Sequence, residues 1–229
     1  MTLTALVMLG SMSAVVVQSE MIFDDPPHPS CHASTIEWAK GGLVAAWFGG
    51  TAEGESDVGI WLSRHDGKAW SEPVEVGGDN THPTWNPVLF ETDQGVLQLY
   101  YKVGPSPREW WGIVTESIDG GTTWSPARRL PGDLLGPIKN KPVSLGEGVV
   151  LSGSSTEHEG WRVHMERSTD GARTWTMSEP LNDGKEIGAI QPTVLDHGEG
   201  TVQILCRSRQ GRIAESWSKD AGVTWSPLT

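Results

Sequence analysis

Along the chain, short apolar runs are cut at regular intervals by Gly, Pro, Asp and Asn. Gly95-Val96-Leu97-Gln98-Leu99-Tyr100-Tyr101 and Gly148-Val149-Val150-Leu151-Ser152 each follow a tight turn and read as buried strands. No stretch sustains an apolar pattern at helical period, so the expectation is an all-β chain. A second rule orders the strands. A residue-Pro pair opens one strand, and a polar residue 16 positions later ends the next. The pairs are Asn86-Pro87 with Lys102, Lys141-Pro142 with Glu157, and Gln191-Pro192 with Arg207. In the first period His32-Ala33 precedes Phe48 at the same distance.

Each set of strands leads into one recurring stretch. Ser117-Ile118-Asp119-Gly120-Gly121-Thr122-Thr123-Trp124 returns as Ser168-Thr169-Asp170-Gly171-Ala172-Arg173-Thr174-Trp175 and as Ser218-Lys219-Asp220-Ala221-Gly222-Val223-Thr224-Trp225. A worn copy, Ser63 to Trp70, comes first. The closing tryptophans at 70, 124, 175 and 225 stand about 50 residues apart, a spacing that marks a repeat array with one supersecondary unit per period. Each copy has the chemistry of a turn. The Asp carboxylate accepts backbone N–H groups, the glycines allow positive φ, and the Trp is an apolar anchor. If the units are arranged radially, homologous positions of successive units converge on a common axis. Asn86, Lys102, Lys141, Glu157, Gln191, Arg207 and His32 are therefore expected to ring one end of a central channel. Polar groups recurring among Val, Leu and Tyr are costly to bury unless they are paired, as Glu157 with Lys141 would be, or reach a ligand.

Composition narrows the partners. Twelve Trp stand against two Tyr and three Phe, and the repeated turns take four of the twelve. The formal net charge of −12 argues against nucleic acid or an anionic membrane surface as the main partner. It leaves room for a small anionic ligand, because local cations override the global field at short range. No stretch is long and apolar enough for a transmembrane helix. Cys31 and Cys206 are too few for a disulfide framework and read as two free thiols. The start is apolar, but the first basic residue is Lys40, so a secretory signal lacks its positive region. The expectation is a leader or frayed terminus over 1–13, then a domain over 14–229 opening with a strand from Ala14 to Phe23. The compartment stays open; secretion or a periplasmic location would follow if the leader is processed.

The pattern Ser-x-Asp-x-Gly-x-Thr-Trp is the Asp-box of the sialidase-like β-propellers, and the chain resembles that family over nearly all its length. The resemblance implies about four blades of a probable six, with the fourth lacking its outer strand where the chain stops at Thr229. It also implies that the boxes lie on the side away from the active site. In that family three arginines bind the substrate carboxylate, a Tyr–Glu couple forms the nucleophile and an Asp serves as acid/base. Arg207 matches the place of the second arginine. The place of the family's Glu is held by Gln191, whose amide cannot take a tyrosine proton. The place of the first arginine is the run Cys31-His32-Ala33, with no arginine. The family's acid/base Asp comes from the loop matched here by Phe48 to Asp57. Asp57 fits best, then Glu53, then Glu55.

Two carboxylates in a glycine-flexed loop above a funnel suit general acid work, where burial or proximity raises one pKa; an exposed acidic loop in an acidic protein is the structural alternative. Lys102, Lys139, Lys141 and Arg207 collect positive charge at the funnel and favour an anionic sugar, whose carboxylate takes charge-assisted hydrogen bonds. Trp110-Trp111 would form either an aromatic sugar platform or a packing pair. His32, His82, His158 and His164 show no metal-ligand spacing, and neither a metal nor a cofactor is expected. The functional expectation is a sialidase-like exo-glycosidase acting on glycans with a terminal anionic sugar. A uronate-specific propeller lyase or glycosidase and a non-catalytic glycan-binding propeller are the alternatives.

Overall fold

The computed structural model describes residues 19–229, which are built of strands and turns. Four antiparallel sheets follow one another along the chain. The first joins β1 (Ser30–Ala39), β2 (Gly42–Gly50), β3 (Gly59–His65) and β4 (Val74–Gly77) in sequence order. The second joins β5 (Thr84–Glu91), β6 (Leu97–Val103), β7 (Trp111–Ser117) and β8 (Arg128–Arg129). The third joins β9 (Val143–Gly146), β10 (Val149–Thr156), β11 (Arg162–Ser168) and β12 (Thr176–Met177). The fourth has three strands, β13 (Ala189–Asp196), β14 (Val202–Ser208) and β15 (Ala214–Ser218). This is a β-propeller of four blades, as the period of the Asp-boxes predicts.

The fourth blade lacks an assigned outer strand, yet the ladder has begun. The Ser226 N–H donates to the Trp217 carbonyl, and Thr229 and Glu215 exchange backbone bonds of 3.0 and 2.9 Å. The expected N-terminal strand fares differently. Residues 14–18 lie outside the described residues, and residues 19–23 are in no strand.

Three of the four inner strands share a bulge. Register breaks between His32 and Thr35 in β1, between Trp85 and Val88 in β5, and between Ile190 and Thr193 in β13. At each break one residue has positive φ: Ala33 (51°), Asn86 (40°) and Gln191 (57°). Such a break re-aims the side chains on either side of it. The bulges correct one alignment: Ala33, not His32, is the structural counterpart of Asn86 and Gln191. His32 pairs with Phe48 as Trp85 pairs with Lys102 and Ile190 with Arg207.

Packing divides the molecule into two halves. One apolar cluster runs through blades 1 and 2, with Val44, Phe48, Ile60, Leu62, Leu89, Leu97, Leu99 and Val103 among its members. Another runs through blades 3 and 4, with Leu151, Val163, Met165, Val194, Ile204 and Cys206. Only small clusters bridge the halves: Val88, Tyr100 and Val114 packed with Trp175, and Phe90 with Val150 and Ala172. Each of the three good box tryptophans joins a cluster shared with the preceding blade. Trp124 packs on the first cluster, Trp175 on the two bridging ones and Trp225 on the second.

Candidate functional site at the open end of the channel

Because all four blades repeat one topology, the ends of β2, β6, β10 and β14 lie at one end of the propeller and the box turns at the other. That first end carries the candidate site.

An acidic loop lies between β2 and β3, with residues 51–57 all exposed. Two short turns fold it, the Glu55 N–H donating to the Ala52 carbonyl and the Val58 N–H to the Glu55 carbonyl, both at 3.1 Å. Asp57 is tied back to the start of the loop. Its Oδ2 accepts the Thr51 N–H at 3.0 Å and also the Thr51 hydroxyl. That hydroxyl, first among several contacts, holds the Asp57 carboxyl below the usual carboxylate range. In the free protein Asp57 is therefore an anion, poised to accept a proton rather than to donate one. Glu53 is exposed in the same loop. The loop leans toward blade 2: the Thr84 N–H and hydroxyl both donate to the Val58 carbonyl, at 3.1 and 2.8 Å.

A basic cavity of about 290 Å³ opens between blades 3 and 4, lined by Lys139, Asn140, Gln191, Thr193, Cys206 and Arg207 among others. Gln191 is held by its bulge. Its N–H donates to Ser155 Oγ at 3.3 Å, and its carbonyl accepts Asn140 Nδ2 at 2.9 Å. Arg207 is exposed, and its guanidinium lies over the Trp161 ring, 5.1 Å from the centroid, next to Arg209 at 4.4 Å. The same indole donates Nε1–H to Glu157 Oε2 at 3.0 Å. Trp161 thus fixes two cations and one anion at the rim through one rigid side chain. Asn140 and Trp161 carry no repeat signal in the sequence; their roles come from contacts between blades.

The remaining expected residues divide. Lys141 forms an ion pair at 2.9 Å with Glu37 of β1, joining blade 3 to blade 1, rather than with Glu157. His32 is exposed and stacks on Phe48, ring centroids 5.5 Å apart. Asn86 is half-buried at its bulge. Lys102 is the correction: it is wholly buried and cannot meet a ligand in the funnel. Its Nζ donates to the Pro137 carbonyl at 2.7 Å, because the linker into blade 3 lies over it. Burial, partly offset by Glu166, lowers its pKa to about 7. Arg207 holds the same register place in blade 4 and is exposed. Among the described residues no hydrogen bond or ion pair joins the acidic loop to the basic cavity, and no group of three or more His, Cys, Asp or Glu is arranged to hold a metal ion.

One histidine escaped notice in the sequence. His28 is buried before β1, accepts the Trp47 indole N–H at Nε2 (3.0 Å) and lies 5.0 Å from the Trp61 ring. Burial lowers its pKa. The flanking Pro27 and Pro29, which restrain the backbone around it, were the available signal.

The model of the BNR repeat-like domain matches residues 41–229. No sequence among the curated proteins matches the chain. Among solved structures, a Dyadobacter fermentans protein of unknown function superposes with a TM-score of 0.73 at 17% identity, over 87% of this chain and 68% of that one. The Hadza microbial sialidase Hz136 gives 0.73 at 14% identity, over 87% of this chain. The NanB sialidase of Streptococcus pneumoniae gives 0.71 at 14%, over 92%. The chain spans about half the length of these two sialidases, 46% and 53%. At such identity the likeness is one of fold.

Proposed function

The chain belongs to the BNR repeat-like domain family, and we propose that it acts on glycans ending in an anionic sugar, as a sialidase-like exo-glycosidase. One observation carries this function: Arg207, Lys139, Asn140 and Gln191 line a single cavity in a protein whose net charge is −12. A local reversal of sign at a concave surface selects an anion. Arg207 offers a fork to the sugar carboxylate and Lys139 a point charge. Asn140 and Gln191 supply neutral amides for ring hydroxyls. Proton transfer to or from the glycosidic oxygen falls to Asp57, with Glu53 second. Asp57 must gain its proton as ligand excludes water from the loop, since Thr51 favours the anion in the free protein.

The same Thr51 contact favours a second function, a glycan-binding propeller without turnover, because an exposed and stabilised anion is a poor acid. Gln191 weighs in that direction too, since an amide cannot serve a tyrosine nucleophile.

Kinetics with aryl sialoside, aryl uronide and neutral aryl hexoside substrates separate the two. Arg207→Lys should weaken handling of the anionic substrates by about 10- to 100-fold in KM and spare the neutral one, as expected for loss of a bidentate charged contact. Asp57→Asn should lower kcat by about 10²-fold or more with KM little changed. If Asp57→Asn leaves turnover intact, the acid/base assignment fails. If anionic glycans bind through Arg207 and no substrate turns over, the protein is a lectin.

A further inference from the structure

The seam between blades 2 and 3 opens at the funnel end into a second cavity of about 380 Å³, which shares no lining residue with the Arg207 cavity. A cavity of this size suits a small ligand. Its wall combines three arginines, Arg108, Arg129 and Arg162, with two indoles, Trp110 and Trp111. Asp133 is the one carboxylate of the lining. Three of the lining side chains carry buried nitrogens with no hydrogen-bond partner: Trp110 Nε1, Arg162 Nε and His164 Nε2. His164 is 4% exposed. Its Nε2 lies 3.5 Å from Glu166 Oε1, within ion-pair range but without hydrogen-bond geometry. Trp110 Nε1 and Arg162 Nε can only donate, and a buried donor left unpaired costs about 1–3 kcal/mol, so the two on one cavity wall mark a place where acceptors belong. Arg129 and Arg162 are already steadied, the first over the Trp111 ring at 5.0 Å and the second by Glu159. Trp110 lies edge-on to Trp85, ring centroids 6.1 Å apart.

We infer that this cleft is a second, off-axis binding site for an acidic saccharide unit, with the arginines and orphaned donors taking its oxyanion and the Trp110 indole its apolar ring face. It requires neither turnover at the central site nor Arg207.

The test is an NMR titration of the isotopically labelled full chain with tetragalacturonate, with cellotetraose and sodium sulfate as separate probes. The Trp110 indole N–H signal, identified by its loss in Trp110→Phe, reports the cleft. It should move on addition of tetragalacturonate and stay still with cellotetraose. Arg129→Ala, at an exposed position of β8, should weaken the effect about tenfold in Kd, whereas Arg207→Ala should leave it unchanged. Arg108→Ala, also exposed, gives an independent second variant with the same expected loss. The inference is overturned if the signal is still up to millimolar tetragalacturonate, if it moves equally with cellotetraose or with sulfate alone, or if Arg207→Ala abolishes the shift while both cleft variants keep it. None of these results bears on the central site, which the Arg207→Lys kinetics test separately.

Discussion

At the scale of single residues, each good box aspartate is held by several hydrogen bonds within its own turn. Asp119 Oδ1 accepts the Ser117 hydroxyl at 2.8 Å and the N–H groups of Thr122 and Thr123 at 3.0 and 2.9 Å, while Oδ2 accepts the Thr123 hydroxyl at 2.6 Å. Asp170 repeats the arrangement with Ser168, Arg173 and Thr174, and Asp220 with Ser218 and Thr224. The threonine hydroxyl leads in each case in holding the carboxyl down, to about 2 for Asp220 and well below the usual range for Asp119 and Asp170. A carboxylate depressed in the folded state contributes stability that is present above the unfolded value and lost as pH falls toward the folded one. Asp170→Ala should therefore cost about 1–2 kcal/mol at pH 7, the range for a lost turn cap. The gap from the wild type should narrow below pH 4, and glycan affinity should not change, since the box lies at the far end. Urea titrations at several pH values check this; a gap that stays constant down to pH 2 would contradict the assignment.

At the scale of the element, the box turn holds two blades together as well as closing one strand pair. The Gln98 side chain of blade 2 donates to the Ala172 carbonyl of blade 3 at 3.2 Å, and Arg167 Nε of blade 3 donates to the Ala221 carbonyl of blade 4 at 2.9 Å. Gly120 makes the closest approach. Its φ is +69°, and a Cβ there would stand 1.9 Å from the carbonyl oxygen of Lys40, in the hairpin of blade 1. Both the left-handed backbone and the collision with main chain count against any side chain, so Gly120→Ala should destabilise by about 2–4 kcal/mol. Calorimetry reads this as a lowered Tm, and a variant as stable as the wild type would mean that the blades are not held by this contact. The sequence announces these turns because their demands are local: an acceptor, a positive φ and a bulky anchor within eight residues. The inner-strand bulge is legible only where Pro follows it, at Asn86 and Gln191. Ala33 adopts the same positive φ with neither Pro nor Gly to mark it, and the first period is therefore misaligned by one residue. The site is less legible still. A spacing of 16 residues finds the strand ends, but what covers each end comes from segments distant in sequence: the linker into blade 3 buries Lys102, while Arg207 stands exposed against Trp161.

At the scale of the whole molecule, two apolar halves meet across a polar seam. Glu166, 1% exposed, accepts the N–H groups of Leu135 and Gly136 at 2.9 to 3.1 Å, and Lys102 donates to Pro137 in the same linker. Buried charge is weak evidence of stability, because desolvation offsets the attraction. What it confers here is a pH dependence across the seam. Burial lowers the Lys102 pKa from 10.5 to about 7. Between those values the folded protein has shed a proton that the unfolded chain keeps, so stability must rise with pH through that window. The steepest slope for one such group is about 1.4 kcal/mol per pH unit. From pH 9 upward the buried Cys206 thiol, pushed up to about 12, acts in the opposite sense, and above pH 10 the buried tyrosines Tyr100 and Tyr101 join it. His28, lowered from 6.5, completes its contribution below the window. The clean interval is therefore pH 7 to 9. Lys102→Met keeps the length and apolar stem of the side chain while removing the ammonium. Its unfolding free energy, measured in urea at half-unit steps, should lack the rise that the wild type shows over that interval. The difference between the two curves isolates Lys102, whatever the lost bond to Pro137 does to the absolute stability of the variant. Parallel curves from pH 7 to 9 would mean that Lys102 keeps its proton in the folded protein and that Glu166, rather than burial, governs the seam.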